Sequence, residues 1–179
     1  MNKNNFIILS GAMGAGKTSV INKLNDLNYH CVDEPARQIL EEQRKINGNG
    51  LPEKDPKLFT ELMLSRTIFQ YKSHEKNTEP VFFDRAMPDF IAYSNLFNVD
   101  NNVFRNAAEE YRFNKTIFFF SGIESIYSTD DERKMSFEQA DEFGNKVRDI
   151  YEELGYEIHD VPFLDIDLRV GFILNKIKM

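Results

Sequence analysis

Only one cysteine, Cys31, occurs in the 179 residues. A lone thiol closes no intramolecular disulfide, and the N-terminal residues hold no apolar stretch of the signal-peptide kind. A reduced, cytoplasmic setting is therefore expected, with Cys31 read as a small buried apolar side chain rather than a reactive thiol. No apolar run approaches the roughly 20 residues that a membrane-spanning helix requires. No lysine or arginine cluster is long enough to follow a nucleic-acid backbone, and the formal net charge is −7, so nucleic acid is not an expected partner. The three histidines, His30, His74 and His159, lack the close spacing of a metal pair, and no zinc site is read. Internal repeats and low-complexity segments are absent too. What remains is a chain with 41% hydrophobic residues, long enough for one domain over residues 1–179 with a good core.

Against that background one motif stands out. Gly11-Ala12-Met13-Gly14-Ala15-Gly16-Lys17-Thr18 is a full GxxxxGKT phosphate loop, and the apolar run Phe6-Ile7-Ile8-Leu9 directly precedes it. A strand, a glycine turn and a helix aim backbone N–H groups and the positive helix end at one point, which suits phosphate. In this reading residues Gly11 to Thr18, with Ser19 next on the helix, cradle a nucleoside triphosphate. Lys17 reaches its β- and γ-phosphates, and the Thr18 hydroxyl ligates Mg²⁺.

Five short runs read as strands: Phe6 to Ser10, Tyr29 to Asp33, Val81 to Asp84, Thr116 to Phe120 and Tyr156 to Val161. Helical spacing lies between them, and such alternation predicts an α/β fold with a parallel sheet covered on both faces. Val20, Ile21, Leu24 and Leu27 mark one face of the helix after the loop. A longer helix starts after Asp55-Pro56, with Leu58, Leu62, Ile68 and Phe69 as its apolar residues. Ser136 and Gln139 resemble a capping box opening a helix that ends near Leu154 before Gly155. The last helix covers Ile166 to Lys178. Asn47 to Pro52 reads as a loop.

Several side chains could carry chemistry. Asp84 closes an apolar strand, as expected of a carboxylate that holds Mg²⁺ beside a phosphate loop. Its neighbour is Arg85 rather than the Glu that polarises water in many hydrolases and motors, and a guanidinium there can clamp a substrate or phosphoryl oxygen. Asp33 and Glu34 follow the second strand, where open parallel sheets gather their ligands. Either could take the proton of an attacking hydroxyl, with Glu34 first, or both could simply favour a helix N-terminus ahead of Pro35. Arg37 could pair with these acids or with an incoming phosphate. Gln70, beside aromatics, could read the edge of a heterocycle. Phe90, Tyr93 and Phe97 at helical spacing read as core, or as the wall of an apolar pocket. The stretch 121–135, with the charged run Asp130 to Lys134, reads either as a solvated helix end or turn, or as a lid bringing Arg133 or Lys134 over the phosphates.

The order of these motifs resembles one family, the P-loop AAA-type ATPase/kinase domains grouped with ribosylnicotinamide kinase. The matching segments are Gly11 to Thr18; Asp33-Glu34-Pro35-Ala36-Arg37-Gln38; Asp84-Arg85-Ala86-Met87-Pro88-Asp89; and Ile126-Tyr127 through Asp130 and Arg133. Glu34-Pro35, Asp84-Arg85 and Phe69-Gln70 are similar, more distantly, to deoxyribonucleoside kinases, in which the Glu is the base; Ala86 stands where those carry serine. The resemblance implies a doubly wound three-layer sandwich with strand order 2-3-1-4-5, and binding of ATP with Mg²⁺. Two functions follow as expectations. One is a kinase that passes the γ-phosphate to a hydroxyl of a small nucleoside or ribosyl-like acceptor, with Lys17, Glu34 or Asp33, Arg85 and Arg133 as its machinery. The alternative is a nucleotide-dependent switch or ATPase read by a protein or lipid partner. Asn114-Lys115-Thr116-Ile117 lacks the Asp of an NKxD guanine motif.

Overall fold

The computed structural model describes residues 3–128 and 135–177. Its five strands are β1 (Phe6–Gly11), β2 (His30–Val32), β3 (Val81–Asp84), β4 (Thr116–Phe120) and β5 (Glu157–Asp160). They pair in parallel in the order β2-β3-β1-β4-β5, the order that the resemblance implies. β1 runs through the middle, with Ile8 opposite Phe83 of β3 on one side and Ile117 of β4 on the other.

The central strands are apolar at nearly every position because both of their faces are covered. Phe6, Ile8, Val81, Phe83, Ile117 and Phe119 point into one core. That core is shared with α2 (Ala36–Lys45), α3 (Pro56–Ser73), α4 (Met87–Leu96), α5 (Asn102–Glu110) and α6 (Phe137–Glu153). Alternate residues Ile7, Leu9, Phe82, Phe118 and Phe120 face the opposite way, toward α1 (Lys17–Asp26) and α7 (Ile166–Ile177). This alternation is the two-residue period of a strand read by two helical layers.

The helix ends follow local chemistry. Asp55 accepts the Leu58 N–H at 2.9 Å, with Pro56 in the first turn of α3. Ser136 and Gln139 exchange the two hydrogen bonds of a capping box at the start of α6. Between α2 and α3, the loop that holds Asn47 to Pro52 is pinned where Gly50 N–H donates to Gln43 Oε1 at 2.9 Å.

Some expectations shift. β2 omits Tyr29 and Asp33, and β5 omits Tyr156 and Val161, because these edge strands pair on one side only. Tyr29 instead packs edge-on against Phe82 at 5.5 Å. Cys31 is half-buried. The buried stripe of α3 is Phe59, Met63, Leu64 and Tyr71, and Phe69 is 69% exposed. α4 is buried on all sides from Met87 to Ser94, so Phe90 and Tyr93 do belong to the core. The short helix α5 adds to the elements predicted. Among the described residues no helix is long and apolar enough to cross a membrane.

Candidate functional site

The phosphate loop begins where β1 ends. Gly11 has φ +135, and a Cβ there would stand 2.1 Å from the Phe120 carbonyl oxygen, so no other residue fits. Ala12 N–H then donates to that oxygen at 2.9 Å, which ties the loop to β4. Gly16, left-handed at φ +84, precedes α1, and no side chain caps that helix. Its first N–H groups are thus left for an anion. Lys17 lies buried under the loop, with Nζ donating to Ala12 O at 2.8 Å. Burial, seconded by Arg85, pushes its ammonium down to about 8 against the pull of Asp84, Glu34 and Asp89. Thr18 and Ser19 stand exposed on the first turn of α1.

The end of β3 delivers Asp84 and, one residue on, Arg85. Asp84 sits opposite Leu9 of β1, and its Oδ1 is buried with no hydrogen-bond partner. Burial drives this carboxyl up to about 6, with Lys17 pulling the other way and Glu34 adding to the rise. A buried oxygen without a partner beside a phosphate loop fits a hard cation. Among the described residues no group of three or more His, Cys, Asp or Glu side chains stands ready for a metal. Magnesium asks for fewer, since it keeps waters and substrate phosphates as ligands.

Arg85 is buried and adopts φ +67, an uncommon state for a residue with a side chain. Its Nη1 donates to Gly11 O at 3.0 Å and to Asp89 Oδ1 at 2.9 Å. Its Nε lies 3.2 Å from Glu34 Oε1, although that N–H is not aligned as a hydrogen bond. Burial opposes the Arg85 charge, yet Tyr93, Glu34, Asp89 and Asp84 outweigh it and hold its pKa well above the ordinary value. Tyr93 OH donates to Glu34 Oε1 at 3.2 Å.

Lys17, Asp84, Arg85 and Glu34 are thus brought together. Asp33 is exposed, and its backbone carbonyl accepts from Gln70 Nε2 at 3.3 Å, so that amide braces the turn after β2. Arg37 is exposed on the first turn of α2. Arg133 lies outside the described residues, as do residues 129–134 of the predicted lid.

Three contributions escape the sequence reading. Asp89, fully buried, collects donors from four groups, described below. Tyr93, read as core, also turns its hydroxyl to Glu34. On the other side of the loop, Arg169 of α7 brings Nη1 within 3.0 Å of where a Gly16 Cβ would be, with its guanidinium 4.8 Å from the Phe163 ring centre. They flank a cavity of about 180 Å³ that Ala15, Phe120, Ile123 and Val161 also line. For the first of these the sequence offers only the place of Asp89 in the motif segment that begins at Asp84, because Arg85 lies outside α4 and the pair has no helical spacing to betray it.

Fold and site together define a P-loop nucleotide-binding domain. The model of the family described as AAA domain matches residues 6–169. The chain belongs to that family. Its fold is similar to deoxyadenosine kinase from M. mycoides, at 18% identity and a TM-score of 0.69 over 97% of this chain and 98% of that one. It is also similar to the NadR protein in complex with NR, at 19% identity and a TM-score of 0.68 over 96% of this chain and 50% of that one. A "Nucleotide-binding protein" from Thermotoga petrophila is 48% identical over 40 residues, a segment that spans 22% of this chain and 14% of that protein.

Proposed function

We propose that the protein is an ATP-dependent kinase that transfers the γ-phosphate to a hydroxyl of a nucleoside or ribosyl-like small molecule. The observation that carries this reading is the meeting of Glu34 Oε1 and Arg85 Nε at 3.2 Å, next to the buried Lys17 and Asp84. A candidate base and an oxyanion clamp are paired there, and the position after Asp84 holds no water-polarising Glu. The likeness in fold to deoxyadenosine kinase and NadR supports the same class of acceptor.

In this mechanism the loop amides and Lys17 hold the phosphate tail. Lys17 leaves its present partner, Ala12 O, to reach the terminal phosphates. The orphaned Asp84 Oδ1 and the Thr18 hydroxyl are the groups that would hold Mg²⁺, which when bound withdraws charge from the phosphate oxygens. Glu34 receives the proton of the acceptor hydroxyl; its Oε1 faces Arg85 and Tyr93, while its Oε2 is bonded to no described residue. Arg85 orients the acceptor and offsets charge that develops in the transition state. Arg133, if it closes over the γ-phosphate, adds a further positive charge. Arg37 and Gln70 are candidates for contacts with the acceptor.

Incubation with ATP, Mg²⁺ and a panel of nucleosides and ribosyl compounds tests this. A phosphorylated product is expected, and Glu34→Gln should abolish it while ATP still binds. If no acceptor raises ADP formation above background, the kinase reading fails and a nucleotide-dependent switch takes its place.

A further inference from the structure

We propose that Asp89 is the positioning residue of the site: it clamps one nitrogen of Arg85 so that the opposite edge of the guanidinium is offered to Glu34 and the acceptor. The claim rests on the kinase reading for its function and on geometry for its content.

Asp89 is fully buried at the start of α4. Its Oδ1 accepts from Ser10 Oγ at 2.6 Å and from Arg85 Nη1 at 2.9 Å. Its Oδ2 accepts from the Ala86 N–H at 3.0 Å and from Tyr151 OH at 2.5 Å. Two oxygens offer about four lone-pair sites, and four donors fill them. A carboxylate so engaged has nothing left for a metal or for a substrate proton, so it acts only by fixing its partners. Those partners belong to three elements: Ser10 to β1, Ala86 to the turn into α4, and Tyr151 to α6. Arg85 is the one charged group among them.

The backbone supports the same conclusion. A side chain at φ +67 is strained, and such strain persists where the surroundings over-determine it. Here the determinants are visible. Arg85 N–H is held by Leu9 O at 3.0 Å, and both Nη1 protons are taken, one by Gly11 O and one by Asp89. With Nη1 pinned, the plane of the guanidinium is fixed. Nε stands beside Glu34, and Nη2 has no hydrogen bond to any described residue. Nε, ion-paired with Glu34, and Nη2 together form the side edge of the fork, the edge that binds an oxyanion or vicinal oxygens through two parallel N–H bonds. Without the clamp the fork could rotate, and a misplacement of about 1 Å costs roughly a hundredfold in rate.

Nitrogen-15 spectra of arginine-labelled protein test the clamp directly, with the Arg85 signals assigned by their loss in Arg85→Lys. The native protein should show separate, slowly exchanging Nη protons for Arg85, and Asp89→Asn should merge them. In the same preparations, Asp89→Asn should lower kcat for nucleoside phosphorylation about tenfold or more, with Mg-ATP affinity held within about twofold of native. Tyr151→Phe removes another donor of the same carboxylate but leaves Arg85 its partner. It should cost thermal stability while keeping the Arg85 signals separate. Parallel losses of stability and rate in both variants, with Arg85 signals equally affected, would mean that Asp89 is merely structural and overturn the proposal. If Asp89→Asn does not fold, the native spectrum decides: fast rotation of the Arg85 group overturns the clamp. Should the native protein phosphorylate no acceptor, the kinase reading falls, and the spectra still decide the clamp separately.

Discussion

Gly144 of α6 lies directly on Ala12 of the phosphate loop: a Cβ at position 144 would stand 2.9 Å from the Ala12 Cβ and 3.1 Å from its Cα. A helix from the far layer thereby supports the loop that is to hold the nucleotide. Ala12 cannot retreat easily, because its N–H is bonded to Phe120 O and its carbonyl receives Lys17.

Gly144→Ala should therefore destabilise the protein by about 1–3 kcal/mol through overpacking, despite the better helix propensity of alanine, and should weaken Mg-ATP binding. Gly171→Ala in α7 is the control: nothing stands within 4 Å of its added Cβ, so it should gain roughly 0.5–1 kcal/mol with unchanged nucleotide affinity. Urea midpoints and calorimetric affinities check both. Equal stability changes for the two substitutions would refute the close contact.

Lys17 should burden the nucleotide-free fold. Its ammonium is pushed down to about 8 by burial, whereas in the unfolded chain it titrates at its usual 10.5. Below pH 8 the folded state carries a buried charge that unfolding would relieve. As pH rises from about 8 toward 10.5 the folded state sheds that proton first, and stability increases. Lys17→Met should raise the stability of the apo protein at pH 7 by on the order of 1–3 kcal/mol while impairing nucleotide binding. The gap between the two proteins should narrow from about pH 8 toward pH 10.5. Thermal melts of both without nucleotide measure it, and a gap independent of pH would contradict the assignment.

Much of the sheet was legible because its core strands are buried on both faces and so spell continuous apolar runs, as Val81-Phe82-Phe83 and Ile117-Phe118-Phe119-Phe120 do. The phosphate loop was legible because its glycines answer to backbone demands that no other residue meets, as Gly11 shows. Edge strands were read too long, since Tyr29 and Tyr156 are apolar for packing reasons and not for pairing. The apolar residues that mark α3 do not reveal which face is buried, because an 18-residue helix with apolar residues on several sides gives no single stripe, and Phe69 is exposed. At the site, Glu34 and Arg85 could be named from motif order, but their meeting depends on two strand ends adjacent only in the folded sheet. Asp89 stands in the motif segment from Asp84 onward, but that order assigns it no role. Two of its four donors, Ser10 of β1 and Tyr151 of α6, lie far from it in sequence.

Cys31 should be a sluggish nucleophile. Burial, aided by Asp33, pushes its thiol up to about 11, and Sγ lies 3.8 Å from Ile21 O. Iodoacetamide at pH 8 should modify it roughly a hundredfold more slowly than a free thiol, with the rate climbing about tenfold per pH unit up to pH 10. Mass spectrometry against a cysteine peptide measures this. Peptide-like reactivity at pH 8 would contradict the burial of the thiol.

The most direct test of the whole account is a calorimetric titration of ATP into the purified protein, with magnesium and with a chelator, for the native chain and for Lys17→Ala and Asp84→Asn. One nucleotide should bind per chain in the presence of magnesium; Lys17→Ala should weaken that binding by about tenfold or more, and Asp84→Asn should remove its dependence on the metal. An absence of magnesium-dependent uptake, or uptake indifferent to Lys17→Ala, would contradict the account at its root.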